Sequence, residues 1–232
     1  MLKCYKYELD LNNKQKTFFN KSFGSCRYIY NWALQKRIEA YQKDKTKLSA
    51  FELSKQLTEL KKQPDVKWLN EVNSQSLQQS IRNLETAFTK FFREKKGFPN
   101  FKKKIGKQSC KFTASVHVDF ESKKIKLPNI GWVRAYIDRK FEGKIGTVTV
   151  SKIPCGKYFI SILIDNELPI PKKAPIKEKT AVGLDVGIKS FVTLSTGEKI
   201  NNPKYLENSL KRLACLQKRL SRKVKGSHRR EK

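Results

Sequence analysis

The chain has 232 residues, with 51 Lys and Arg against 21 Asp and Glu, a formal net charge of +30 and 38% hydrophobic residues. A positive excess beyond the needs of solubility draws polyanions, nucleic acid first among them, and the hydrophobic content, interleaved with the basic residues from Tyr5 to Leu220, excludes a disordered basic tail. The N-terminal "MLKCYKYELD" lacks an apolar signal core and no stretch approaches the ~20 apolar residues of a membrane span, so an intracellular protein is expected.

Tyr5, Tyr7, Leu9 and Leu11 alternate with polar residues, the period-two pattern of a first β-strand. From Lys14 to Asp44 the apolar residues Phe18, Phe19, Phe23, Cys26, Ile29, Tyr30, Ala33, Leu34, Ile38 and Tyr41 recur at helical spacing, with Gly24 as a candidate break into two helices. "SAFE" at Ser49 to Glu52 is a capping box that predicts a helix carrying Leu53, Leu57 and Leu60 on one stripe. A further helix is expected over Ser74 to Lys95, with Leu77, Ile81, Leu84, Phe88 and Phe91 inward and Gly97 as its C-terminal cap. Its other face holds Ser74, Gln75, Gln78, Gln79 and Arg82. Glutamine pairs bidentately with adenine, so this face suits base edges as well as plain solvation.

"GFPNFKKK" ends the helical texture, and Lys102, Lys103 and Lys104 form a basic knuckle. From Lys111 the runs "KFTASVHVDF", "KIKLPNIGWVRAYI", "GTVTVSKI" and "KYFISILID" predict an antiparallel barrel or sandwich, a class that often binds oligonucleotides. His117 and His228 are isolated, and the five cysteines (Cys4, Cys26, Cys110, Cys155 and Cys215) never occur as C-x-x-C, so they read as free thiols with no zinc site or disulfide framework. "ELPIPKKAPIKEK", residues 167–179, predicts an extended connector at a domain boundary.

In "AVGLDVGIKSFVTLSTGEKI" the acid Asp185 lies in a run that reads as a buried strand, where a carboxylate needs compensation for lost hydration. In an RNase H-like fold an acid on the first central strand holds a divalent metal, and Gly183 and Gly187 would let a phosphate approach. An actin-like ATPase opening and a simple loop cap fit the same local pattern. Finally, Asn202 and Pro203 are expected to start a helix whose Leu206, Leu210, Leu213, Leu216, Leu220 and Val224 form an apolar stripe. Lys211 and Arg212 on its other faces, then Lys218, Arg219, Arg222 and Lys223, make a positive strip suited to phosphate backbones.

Taken together, "FGSCRYIYNWAL", "WLNEVNSQSLQQSIRNLETAFTKFFR", "GFPNFKKK", "LPNIGWV", "EGKIGTVTVSKIPCGKYFISIL", "GLDVGIKSFVTLSTGEKI" and "NPKYLENSLKRLACLQKRLSRKVKGS" resemble, in that order, the TnpB/OrfB family of transposon-encoded RNA-guided DNA endonucleases. The resemblance implies an α+β multidomain fold: a first wedge strand over residues 1–12, a helix-turn-helix-like recognition bundle over 13–98 inserted in an antiparallel wedge β-barrel over 99–168, a linker over 169–179, and the N-terminal part of an RNase H-like RuvC α/β domain over 180–232. It implies guide RNA and double-stranded target DNA as partners, a cytoplasmic, nucleoid-associated location, and Arg27, Tyr30 and Asn31 among the nucleic-acid contacts. Asp185 matches the first RuvC acid, which in the family works with a later Glu and Asp to hold two magnesium ions. This chain stops at Lys232 before those acids and lacks the C-x-x-C pairs of the zinc insert, so the expectation is a truncated form that binds without stably holding magnesium or cutting alone. A binding-only RNA-guided repressor and an unrelated basic RNA-binding protein are the alternatives.

Overall fold

The alternation around Tyr7 and Leu9 forms strand β1 (Leu2–Asp10), whose buried side chains face the core from the middle of a sheet. The computed structural model describes residues 1–106, 108–171 and 181–231, in two units, Met1–Ile170 and Pro171–Lys232. Most of the expected linker over 169–179 lies outside the described residues.

In the first unit, β1 is followed by helices α1 (Asn13–Asp44) and α2 (Ala50–Leu60), a 3-10 helix (Pro64–Glu71) and helix α3 (Ser74–Glu94). Strands β2 (Gln108–Phe112), β3 (His117–Asp119), β4 (Lys124–Leu127), β5 (Gly131–Tyr136), β6 (Lys144–Lys152) and β7 (Tyr158–Asp165) come next. The helices are therefore inserted between the first and second strands of one antiparallel seven-stranded sheet, ordered β2-β6-β7-β1-β5-β4-β3. β1 pairs along most of its length with β7, from Leu2↔Asp165 to Leu9↔Tyr158, and with β5 only at Glu8, Leu9 and Asp10.

Among the described residues the edge strands β2 and β3 do not pair, so the sheet is open and the expected closed barrel does not form. Closure requires strand number, tilt and stagger to match. Here Ser115, at φ 58°, turns the chain within "KFTASVHVDF" and leaves β3 a short edge strand.

Helix α1 is continuous through Gly24, where an added Cβ would meet nothing within 4 Å. A glycine in a helix costs about 1 kcal/mol relative to alanine, too little to break a helix that buries Phe19, Phe23, Cys26, Ile29 and Leu34. Asn12 and Gln15 form a reciprocal capping box at its start, legible as N-x-x-Q, and Ser49 and Glu52 form the expected one before α2. Helix α3 ends at Lys95 in the left-handed region (φ 51°), so the lysine takes the place expected for Gly97. Leu77, Ile81 and Leu84 of α3 share the core with α1 and with Ile125, Val133, Val150, Ile160 and Ile162 of the sheet. Arg37 of α1 is paired with Glu85 and lies 4.9 Å over the Phe88 ring.

The second unit contains strands β8 (Leu184–Val186), β9 (Ser190–Leu194) and β10 (Lys199–Asn201) in an antiparallel meander, then helix α4 (Tyr205–Ser221). Contrary to the buried strand read from the sequence, Leu184, Asp185 and Val186 are all exposed, and so are Leu206, Leu210, Leu213, Leu216 and Leu220 of α4. A sheet buries its apolar face only when a second layer covers it, and α4 has no buried residue among those described. Asn202 does not cap α4. Its Oδ1 accepts the Lys204 N–H at 2.9 Å and its Nδ2 donates to the Ile188 carbonyl at 2.7 Å, while Lys204, in the left-handed region, holds the cap position.

Candidate nucleic-acid interface

Arg27, Tyr30 and Asn31 stand three and four residues apart on α1, which places them on one face. All three are tied to the Lys102–Lys104 segment. Asn31 Nδ2 donates to the Lys102 carbonyl at 3.0 Å, and Asn31 Oδ1 accepts the Lys102 N–H at 2.8 Å. Arg27 Nη1 donates to Gln108 Oε1 at 2.8 Å, and Gln108 Nε2 donates onward to the Lys104 carbonyl at 2.9 Å. The Tyr30 ring is buried, with Lys102 Nζ 4.0 Å above it, a cation over a π face.

This arrangement holds both peptide edges of Lys102 and the Lys104 carbonyl, and Lys102, Lys103 and Lys104 are exposed as residues. Among the described residues none of the three is paired with a carboxylate. Although Lys102 is exposed as a residue, its ammonium is packed against Tyr30. That desolvation holds its pKa below the ordinary lysine value, and the Lys111 charge adds to the effect. Tyr30, expected among the nucleic-acid contacts, is buried, and Asn31, expected there too, is engaged with the Lys102 peptide group.

On α3, Ser74, Gln75, Gln78 and Arg82 are exposed and Gln79 is half-buried. Gln75 Oε1 accepts from Thr113 Oγ1 at 3.2 Å and Ser74 Oγ accepts from Lys61 Nζ at 3.0 Å, whereas the exposed Gln78 and Arg82 side chains make no hydrogen bond among the described residues. A cleft of about 550 Å³ opens beside Gln78, lined by Lys61, Lys62, Lys67, Asn70, Ser74 and Gln78 among others. Gln108, at the start of β2, was not legible as a site residue, because its role comes from the distant residues it bridges.

In the second unit, Asp185 sits opposite Thr193 on the β8–β9 ladder. Gly183 donates its N–H to Ser195 Oγ at 3.0 Å, and a Cβ on Gly187 would come within 3.2 Å of the Ser190 carbonyl, so the close approach at Gly187 serves its own hairpin. Among the described residues no three His, Cys, Asp or Glu side chains are grouped to hold a metal. Lys211, Arg212, Lys218, Arg219, Arg222 and Lys223 are all exposed on or just after α4, with Lys223 Nζ donating to the Arg229 carbonyl at 2.6 Å.

The sequence matches the family described as "Helix-turn-helix domain" (HTH_OrfB_IS605) over residues 1–46 and that described as "Probable transposase" (OrfB_IS605) over residues 160–232. In this chain residues 1–46 hold a strand and one uninterrupted helix. The chain is 34% identical over 227 residues to "Putative RNA-guided DNA endonuclease InsQ" of Escherichia coli (strain K12), covering 98% of this chain and 56% of that protein. It is 36% identical over 237 residues to "Putative RNA-guided DNA endonuclease" of Streptomyces pristinaespiralis, covering 99% of this chain and 57% of that protein. It thus spans little more than half the length of these relatives. The protein in a solved Cas12f1-sgRNA-target DNA complex aligns with 96% of this chain and 62% of its own, at 14% identity and a TM-score of 0.35.

Proposed function

The chain belongs to the TnpB/OrfB family of IS605-type transposable elements, and from that membership we propose that it binds a guide RNA and duplex target DNA. An unrelated basic RNA-binding protein is thereby set aside. The observation that carries the reading is the knuckle, where Asn31 holds both peptide edges of Lys102 and Gln108 holds the Lys104 carbonyl, while Lys102, Lys103 and Lys104 have no carboxylate partner among the described residues and the Lys102 ammonium rests on the Tyr30 ring. Such a surface grips phosphates, and phosphate contacts position a strand without specifying it. Gln78 and Arg82 on α3 are suited to a short motif in duplex DNA, and guide pairing supplies the remaining specificity.

In this reading the open seven-stranded sheet serves as the wedge, α1 to α3 as the recognition lobe, and the β8–β10 meander with α4 as the opening of a RuvC nuclease domain. Asp185 is the first acid of that domain's metal site. The described residues do not themselves assemble the site, so strand cleavage is not assigned to them, and the reading is one of RNA-guided binding. Isolation of the chain from cells transcribing its own element, followed by sequencing of the bound RNA, tests this. RNA from the element's transcript end, together with duplex binding that depends on it, is expected; the absence of any such RNA would overturn the reading.

A further inference from the structure

Behind the knuckle, α1, α3 and β2 enclose a cavity of about 280 Å³, lined by Arg27, Lys102, Lys103 and Lys111 together with the amides of Asn83 and Gln108. No aspartate or glutamate lines it among the described residues. Each of three cations is oriented by a neutral partner: Arg27 by the Gln108 amide oxygen at 2.8 Å, Lys111 by Asn83 Oδ1 at 3.0 Å, and Lys102 by the face of Tyr30 at 4.0 Å. A guanidinium has five N–H donors and an ammonium three, so most of their donor capacity remains for a ligand.

We propose that this cavity is a phosphate-binding site. Converging cations with no counter-charge repel one another, and an anion in the cavity removes that cost while pairing with several donors at once. The volume lies just under the roughly 300–1,000 Å³ of small-molecule sites. It therefore suits a phosphate with part of a sugar and excludes a large ligand. The lowered pKa of Lys102, due first to desolvation and also to Lys111, is the strain such an anion relieves. The phosphate arrives either as a backbone group of a bound strand or as free orthophosphate. Its identification as a backbone group rests on the proposed function; the phosphate chemistry does not.

Two variants of the full chain test the site. Arg27→Gln removes a cation. Asn83→Asp places a carboxylate where Lys111 already donates, filling the anion's place while supplying Lys111 with an ion pair, so it is expected to keep the fold. Thermal melts in sodium phosphate against sodium chloride at equal ionic strength read the free anion. Phosphate is expected to raise the wild-type melting temperature and to leave Asn83→Asp unmoved. Binding of single-stranded RNA over a salt series reads the backbone group, and one fewer phosphate neutralised lowers the slope of log K against log salt by about 0.7. A phosphate response abolished in both variants with unchanged RNA slopes would assign the site to free phosphate. If the wild type bound no nucleic acid yet kept a phosphate response that Asn83→Asp abolished, the proposed function would fall and the cavity site would stand. Wild-type slopes and wild-type phosphate responses in both variants would overturn the cavity site and leave the proposed function intact.

Discussion

Asn31 holds both hydrogen-bonding edges of the Lys102 residue, donating to its carbonyl at 3.0 Å and accepting its N–H at 2.8 Å, so one side chain does for this loop what a neighbouring strand does in a sheet. Removing it frees two backbone groups at once. Asn31→Ala is expected to cost about 1–2 kcal/mol and to lower the melting temperature by a few degrees. It should also weaken RNA and DNA binding without regard to sequence, because the lysines lose their fixed platform. Equal binding by variant and wild type in a gel-shift series would separate the loop from the interface.

Replacing Lys102, Lys103 and Lys104 together by alanine tests the knuckle directly. Affinity should fall alike for every sequence, and the salt slope should flatten by about 0.7 to 0.9 for each phosphate the variant no longer neutralises. A weakening confined to one DNA sequence would show that these lysines read bases.

Gln78→Ala on α3 has the opposite signature. Its side chain is exposed beside the cleft lined by Lys61, Lys62 and Lys67, so discrimination at one base pair should weaken by about 1–3 kcal/mol. Binding to non-cognate duplex should hardly change, and competition between cognate and scrambled duplexes reads the difference.

Asp185→Ala is expected to leave stability within about 0.5 kcal/mol of wild type, as at most exposed positions, because Asp185 faces solvent. Nucleic-acid binding should be unchanged as well. A chimera continued with the remaining length of the Escherichia coli relative should lose cleavage on the same substitution, and a chimera that still cuts would remove Asp185 from the catalytic reading.

Acid weakens the seam between the two ends of the first unit. Asp165 accepts the Glu167 N–H and pairs with the amino terminus at 3.2 Å, and these hold its pKa below the ordinary aspartate value. A depressed folded pKa means that the contribution is fully present above the unfolded value of about 3.9 and is lost as pH falls through the lower folded value. Asp165→Asn should therefore melt below wild type at pH 7, and the gap should close under acid. A gap that persists at the lowest pH would point to lost packing in place of lost charge.

Local chemistry was legible from sequence where one short segment decides the outcome. The Ser49–Glu52 capping box, strand β1 and the inward stripe of α3 at Leu77, Ile81 and Leu84 all depend on neighbours a few residues away. Lys95 in the left-handed region was not legible, because glycine is the usual residue there and Gly97 stood two positions on. Asp185 misled for a related reason: flanking Leu184 and Val186 give the texture of a buried strand, but burial depends on a covering layer that no local pattern encodes. The open sheet is of the same kind, since pairing of β1 with β7 joins residues such as Leu2 and Asp165. Within the proposed interface, Lys102 to Lys104 could be singled out from charge alone. The restraint on them could not, because Asn31 and Gln108 look like ordinary polar residues until the chain brings them to the loop.

The central place of β1 also sets a timetable for synthesis. Its long partner, β7, ends at Asp165, so a nascent chain carries β1 with that flank unpaired while α1, α2 and α3, built from near contacts, are already made. At roughly 5–20 residues per second the wait is on the order of ten seconds, and through it the unpaired edge is open to association with other chains. A ribosome that stalls before Tyr158 leaves an exposed strand template, whereas one that stalls only after β7 has cleared the exit tunnel leaves the β1–β7 ladder paired. Pauses in translation before and after the emergence of β7 should therefore have opposite effects on the yield of folded protein.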